Sequence, residues 1–241
     1  MTAPIDDLRC APLGDRALVV EFHRAPKGEL ADRVRAAAEH LLARPIPGVT
    51  DVVYAHGSVT VHFDPIVVAG QQRASQPMQL MQEAVLAALA RAPRLPRQTS
   101  RDVEIPVCYG GAHGQDLDEV ARRCELSTDE VIALHGRPVY TVDMLGFMPG
   151  FAYLNGLDPR IAVPRRDTPR KRIPAGSVGI SSSQTAVYPF ETPGGWNLLG
   201  RTPLSMFRLH DEPPNLIRMG DRVRFVAITP AQFDTLKARG R

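Results

Sequence analysis

The chain has 241 residues, 44% of them hydrophobic, and its 29 Lys and Arg against 26 Asp and Glu give a net charge of +3. This small excess of positive charge does not indicate a nucleic-acid partner, and we expect none. Cys10, Cys108 and Cys124 are widely spaced, so neither a disulfide framework nor a zinc site is predicted. Acidic residues near the N-terminus and the lack of an apolar run of about 18 residues predict a cytoplasmic protein without membrane contact.

The first part of the chain combines β-type alternation with helical periodicity. The predicted elements are a strand at 17–22, a helix at 30–41, a strand pair at 51–63 and a helix at 77–89. With a last strand at 102–107 the order becomes βαββαβ, which predicts an α+β, ferredoxin-like domain over residues 1–95. The pattern leaves open whether the strand at 102–107 belongs to this domain or begins the next one.

The second part of the chain, residues 96–241, is predicted to be a mainly-β domain. It begins within a linker rich in Arg and Pro at 91–100, and Ser127 and Glu130 then have the spacing of a helix capping box. After Pro138, short β-type runs alternate with Gly and Pro, which predicts a closed or nearly closed β-barrel. The predicted runs are 139–145, 178–181, 186–188, 196–199, 204–209 and 222–228.

Residues 140–204 have the composition of binding loops, because Gly and Pro there separate bulky rings and polar groups. Phe147, Pro149 and Phe151 form an apolar, turn-rich motif. We expect these three residues to line a pocket, to contact another protein or to belong to the core, and the sequence does not separate these possibilities.

Five of the arginines that follow within this stretch are candidates for binding carboxylate or phosphate. A planar guanidinium suits two-pronged hydrogen bonding to either group. The alternative is a solvated, charged loop. The candidates are Arg165, Arg166, Arg170, Arg172 and Arg201, of which Arg172 and Arg201 lie nearest the turn motifs.

Polar and aromatic side chains among the predicted strands are candidate substrate contacts. Gln184, Thr185 and Tyr188 together offer donors and acceptors for an amide or lactam, although strand pairing and turn capping would also explain them. Trp196 could stack on a flat substrate or fill the end of the barrel. We predict no metal ligands.

His135 ends a predicted helix directly before the barrel, where the helix dipole favours an imidazolium. We expect it either to take part in acid/base chemistry or phosphate contact, or to cap the helix. The sequence has no His-Glu-x-x-His and no Gly-x-Ser-x-Gly. Residues 195–202 have P-loop spacing, but Trp196, Leu198 and Leu199 alternate as in a strand and Pro203 follows, so a strand is predicted.

Four phrases occur in order at 145–154, 172–179, 184–189 and 193–202: LGFMPGFAYL, RIPAGSVG, QTAVYP and PGGWNLLGRT. Together they closely resemble the family of 5-oxoprolinase B subunits (PxpB), also known as allophanate hydrolase subunit 1 or the KipI kinase-inhibitor family. The resemblance implies a cyclophilin-like barrel and a His at position 135.

The resemblance also implies a function within an assembly. Family membership implies one component of an ATP-dependent 5-oxoprolinase that converts 5-oxo-L-proline to L-glutamate with ATP and Mg²⁺. The implied partners are a homologous C subunit (PxpC), in a hetero-oligomer, and a separate A subunit (PxpA). We expect the chain to be inactive alone, with Arg201 and His135 as the candidate catalytic residues.

Two other functions stay open within this family. One branch inhibits a histidine kinase by protein contact, and the same module occurs in proteins of urea and allophanate chemistry. Family members commonly have glycines where this chain has Ser182, Ser183 and Ala186. If those glycines allow close approach of a substrate, their replacement weakens the catalytic assignment but not the fold assignment.

Overall fold

The structure is a computed structural model that describes residues 8–23, 30–55, 57–72, 76–91 and 101–240. The chain divides into two compact units, 1–99 and 100–241, whereas the sequence pattern predicts a boundary at 95/96. All of the predicted linker except Arg91 lies outside the described residues.

Unit 1 contains an antiparallel sheet and three helices. Its elements are β1 (Leu8–Pro12), β2 (Ala17–Phe22), α1 (Leu30–Ala43), β3 (Val49–Ala55), β4 (Ser58–Phe63), α2 (Pro65–Gln72) and α3 (Pro77–Ala90). The strand order is β1-β2-β4-β3. The predicted order βαββαβ is not observed, because β1 forms the sheet edge beside β2 and residues 102–107 pair within unit 2. A ferredoxin-like domain is therefore not confirmed.

The core of unit 1 lies where the helical periodicity predicted it. Side chains that recur every three or four residues on α1 and α3 are buried, which is the pattern of helices with one apolar face. The buried members include Val34, Ala38 and Leu41 of α1 and Met81, Val85 and Leu89 of α3. The sheet contributes alternate residues to the same cluster, among them Val59 and Val61 of β4.

Unit 2 is mainly β, with short helices at its surface. Its strands are β5 (Asp102–Tyr109), β6 (Tyr140–Leu145), β7 (Ala152–Asn155), β8 (Arg170–Ile173), β9 (Ser177–Ser181), β10 (Gln184–Val187), β11 (Thr192–Gly194), β12 (Asn197–Arg201) and β13 (Arg222–Ala227). Its helices are α4 (Leu117–Arg123), α5 (Thr128–Gly136) and α6 (Pro230–Ala238).

Seven strands of the described chain close into a barrel in the order β10-β7-β6-β13-β5-β12-β9, and β9 pairs with β10 to complete it. The predicted mainly-β barrel is thus confirmed. The strand β5 runs parallel to β13, with Asp102 opposite Arg222. The strands β8 and β11 form a separate two-stranded sheet.

One predicted strand of unit 2 is not observed. The run 204–209 is not a strand, and only Phe207 forms an isolated bridge, to Asn215. Pro203 and Pro213 flank this segment and lack the N–H that a strand ladder needs, which explains why regular pairing fails there. The helix α6 and the strands β7, β8 and β11 were not predicted.

The helices α4 and α5 bring two polar residues against the barrel. The predicted capping box is present: the Ser127 hydroxyl accepts from the Glu130 N–H, and the Glu130 carboxylate accepts from the Ser127 N–H. Asp116 directly precedes α4, and His135 lies in the last turn of α5.

No helix in the described ranges is long and apolar enough to span a bilayer.

Candidate functional site

A buried carboxylate joins two of the predicted arginines. Asp116 is 2% exposed, and its Oδ1 accepts from Arg166 Nη1 and Arg170 Nη2, both at 2.7 Å. Its Oδ2 accepts from Arg170 Nη1 at 2.8 Å and from the backbone N–H of Leu198 at 2.7 Å. These four bonds fill the acceptor sites of a carboxylate. Asp116 therefore ties the arginine-rich segment to β12, and we call Asp116, Arg166 and Arg170 the Asp116 cluster.

The Asp116 cluster carries excess positive charge, because two guanidiniums share one carboxylate. The side chains of Arg166 and Arg170 remain 33% and 20% exposed, so one edge of the cluster faces solvent. No acceptor of the described chain lies within hydrogen-bond distance of the buried Nε of Arg166. Arg165, which directly precedes Arg166 in the chain, is exposed. This arrangement suits an anionic ligand.

An aromatic cluster lies beside the arginines. The ring of Phe151 packs edge-to-face against Tyr188 at 5.4 Å and Trp196 at 6.0 Å between centroids, and all three residues are buried. The Tyr188 phenol interacts electrostatically with Arg165 and Arg170. Burial raises the pKa of Tyr188 to about 12, so its O–H remains a neutral donor. Trp196 thus belongs to the core of this region.

The loop between β6 and β7 separates its three apolar candidates. Phe151 is 2% exposed, whereas Phe147 is 62% exposed and Pro149 is also exposed. Phe147 adopts a φ of +70°, a strained conformation for a bulky residue that costs about 1–3 kcal/mol. The loop thus presents Phe147 and Pro149 outward and contributes Phe151 to the core.

His135 lies at the centre of a buried hydrogen-bond chain. Its Nδ1 is 2.7 Å from the Tyr109 hydroxyl, and its Nε2 is 2.9 Å from the Thr185 hydroxyl. The Thr185 hydroxyl donates its one proton to the Gly179 carbonyl at 3.0 Å, so it must accept from Nε2–H. Nδ1 consequently accepts from Tyr109. We call Tyr109, His135 and Thr185 the His135 chain.

The His135 chain is neutral and closed to solvent. His135 and Thr185 are fully buried, and the imidazole stacks on Phe225 at 4.5 Å. Burial lowers the pKa of His135 to about 3 and raises the pKa of Tyr109. The helix dipole alone would favour an imidazolium, but desolvation dominates. The imidazole is thus placed among barrel side chains and not at a surface that a substrate can reach.

Two predicted arginines are held apart from the Asp116 cluster. Arg172 is 78% exposed at its side chain and forms a two-pronged pair with Glu191 at 2.9 and 3.0 Å. Arg201, the last residue of β12, donates Nε–H to the Ala175 carbonyl at 2.7 Å. Asp116 therefore joins Arg166 and Arg170, whereas Arg172 and Arg201 bond to other partners.

Gln184 is half-buried at the start of β10, directly after a tight turn. Ser182 in this turn adopts a φ of +52°, the left-handed region that favours glycine. Relatives commonly carry glycine at this position, and Ser182 adopts the left-handed conformation that glycine favours. Ala186, at the other departure from the family pattern, is fully buried in the barrel.

Asp116 is the functional candidate that sequence reasoning missed. It precedes a short helix, where an aspartate is usual, and its partners are 50 and 54 residues further along the chain. The arginine-rich segment was the one available indication that a buried counter-charge was needed. In the described part of the chain, no group of three or more His, Cys, Asp and Glu side chains is arranged to hold a metal ion.

Comparison with known proteins identifies the family. Residues 8–217 match the family described as "Carboxyltransferase domain, subdomain C and D". The chain is 44% identical to the B subunit of 5-oxoprolinase from Bacillus subtilis (strain 168) over 227 residues, which cover 93% of this chain and 95% of that protein.

Solved structures agree with this relationship. The crystal structure of TTHA0988 superposes with a TM-score of 0.75 at 38% identity, covering 89% of this chain. This chain spans only 41% of the TTHA0988 chain. Urea amidolyase of K. lactis shares the fold, with a TM-score of 0.75 at 17% identity over 97% of this chain and 16% of that one. With the match over nearly the full length of the Bacillus relative, the chain belongs to the family of 5-oxoprolinase B subunits.

Proposed function

We propose that the chain is the B subunit of an ATP-dependent 5-oxoprolinase that hydrolyses 5-oxo-L-proline to L-glutamate together with a C and an A subunit. The 44% identity to the Bacillus subtilis 5-oxoprolinase B subunit over nearly the whole of both chains is the observation that supports it. The Asp116 cluster is consistent with the proposal, because the substrate is an anion at neutral pH.

The proposed chemistry needs a charged, ordered site. A lactam is a poor electrophile, and ATP supplies the phosphoryl group that activates it. Arg165, Arg166 and Arg170 are the residues of this chain that we expect to contact an anionic group. Among the described residues no group of three or more His, Cys, Asp and Glu side chains is arranged to hold a metal ion, and we assign Mg²⁺ no ligands there. His135 is expected to support the barrel wall behind the site through Thr185.

The homologous partner is expected to complete the site. Phe147 and Pro149 form an exposed apolar tip on a loop whose base is anchored by the buried Phe151. Exposed aromatic residues in a strained conformation are suited to bind another protein, since contact with the partner buries them. We therefore assign this tip to the interface with the C subunit.

The test is reconstitution. The purified chain alone is expected to show no ATP-dependent cleavage of 5-oxoproline, and the three co-purified subunits are expected to produce glutamate and ADP. Phe147→Ser should weaken co-purification with the C subunit, while Ile66→Ser, an exposed apolar residue of unit 1, serves as the control. Turnover by the isolated chain would refute the shared site, and inactivity of the full assembly towards 5-oxoproline would refute the function.

A further inference from the structure

We propose that Arg165, Arg166 and Arg170 form a binding subsite for a carboxylate, and that Asp116 is the positioning residue that fixes its geometry. The inference deepens the proposed function and rests on it for the identity of the ligand, the carboxylate of 5-oxo-L-proline. The subsite itself is argued from the contacts of this chain.

The first step is the donor supply. Each guanidinium has five N–H donors. Asp116 accepts two hydrogen bonds from Arg170 and one from Arg166. The two side chains remain 33% and 20% exposed, so an incoming anionic oxygen can reach their outer edge and the donors that Asp116 does not use.

The second step is the charge. Asp116 neutralises one of two guanidiniums, and its own oxygens are saturated, so it cannot repel an anion as strongly as a free carboxylate would. The cluster keeps one excess positive charge and the exposed Arg165 adds a second, so the subsite fully offsets the charge of a monoanion. A triphosphate carries more negative charge than the subsite offsets. Two coplanar oxygens also match the fork of an arginine.

The third step is the surroundings of the arginines. Tyr188 is buried and neutral, and it interacts electrostatically with Arg165 and Arg170 without placing a negative charge beside them. The aromatic cluster beyond it has half-buried outer members, Tyr153 and Met148. A ligand with a carboxylate and a small apolar ring would therefore meet donors on one side and apolar carbon on the other.

The test is titration of the full-length ¹⁵N-labelled chain, following arginine Nε–H resonances by NMR. The probes are 5-oxo-L-proline, 2-pyrrolidinone, which lacks the carboxylate, acetate and inorganic phosphate. The variants are Arg165→Gln, whose exposed position does not endanger folding, and Arg170→Gln. The control is Arg122→Gln on the outer face of α4, whose side chain is 72% exposed.

We expect 5-oxo-L-proline and acetate to shift the resonances of Arg166 and Arg170, and 2-pyrrolidinone to leave them unchanged. Loss of one charge-assisted bond should raise the Kd of 5-oxo-L-proline about tenfold in both variants and not in Arg122→Gln. Equal affinity in all three variants, or tighter binding of phosphate than of both carboxylates, would overturn the subsite.

The same titration separates this inference from the proposed function. If acetate binds at Arg166 and Arg170 and the full assembly is inactive towards 5-oxo-L-proline, the carboxylate subsite stands and the 5-oxoprolinase assignment fails. If the assembled enzyme cleaves 5-oxo-L-proline with the same KM in wild type and in Arg165→Gln and Arg170→Gln, the enzyme assignment stands and the subsite is refuted.

Discussion

The barrel unit contains two polar networks that differ in charge and in access to solvent. The Asp116 cluster holds full charges, has an excess of guanidinium and keeps its arginines partly exposed. The His135 chain is neutral, satisfied at each hydroxyl and imidazole nitrogen, and fully buried at His135 and Thr185. A network that is saturated and closed stabilises a fold, whereas one with spare donors at an accessible edge can bind a ligand.

The largest effect is expected where a buried charge loses its partner. Asp116→Asn leaves two guanidiniums without a counter-charge and places an amide N–H₂ where an acceptor is needed. Removing one partner of a buried ion pair typically costs about 3–5 kcal/mol, so we expect a loss of that order in the free energy of unfolding. Urea denaturation followed by circular dichroism measures it.

The matched control for this variant is Asp158→Asn, which also removes a carboxylate bonded to an arginine, in this case Arg160. Asp158 caps the short 3₁₀ helix Pro159–Ile161, where asparagine can replace aspartate, and the Arg160 side chain is 61% exposed. The loss should therefore be far smaller. If both variants lose equal stability, Asp116 is not a special counter-charge.

The His135 chain is expected to make stability depend on pH. Its folded-state pKa of about 3 lies below the ordinary value of 6.5, so the unfolded chain binds the proton more readily. The stabilisation is complete above pH 6.5 and is lost as the pH falls from there towards 3, at up to about 1.4 kcal/mol per pH unit.

The measurement compares wild type with His135→Gln, whose amide can donate to Thr185 and accept from Tyr109 without titrating. Between pH 7 and pH 4 the wild type should lose about 3 kcal/mol more than the variant in the free energy of unfolding. Parallel pH profiles would show that the imidazole is not held neutral by the fold.

The smallest effect is expected at the exposed pair of Arg172 and Glu191. Solvent screens this pair, so Arg172→Gln should change the free energy of unfolding by less than about 1 kcal/mol, and high salt should reduce even that. The same denaturation measurement tests it. A loss as large as that of Asp116→Asn would contradict the distinction between the exposed Arg172–Glu191 pair and the buried carboxylate of the Asp116 cluster.

Local patterns predicted the parts of the fold that depend on neighbouring residues. The spacing of Val34 to Leu41 and of Met81 to Leu89 identified the buried faces of α1 and α3, and Ser127 with Glu130 identified a helix start. The strand at 102–107 could not be assigned this way, because its partner is β13, about 120 residues away. Which sheet receives a strand is decided by such distant pairing.

The candidate site was predictable only in part for the same reason. Arg166 and Arg170 were found because cations crowd one turn-rich segment, but their carboxylate lies 50 and 54 residues earlier. The position of His135 at a helix end was read correctly. The lowered pKa of His135 was not predicted, because the sequence does not show that Phe225 and the barrel wall exclude water from the imidazole.

The parallel pairing of β5 with β13 affects how the barrel folds while the chain is being synthesised. Asp102 leaves the ribosome long before Arg222, its neighbour in the finished barrel. The barrel therefore cannot close until residues 222–227 emerge, and until then β5 and β6 lack the strand that lies between them. During that interval the exposed strand edges are vulnerable to association with other nascent chains, and early docking of a cognate partner would shield them.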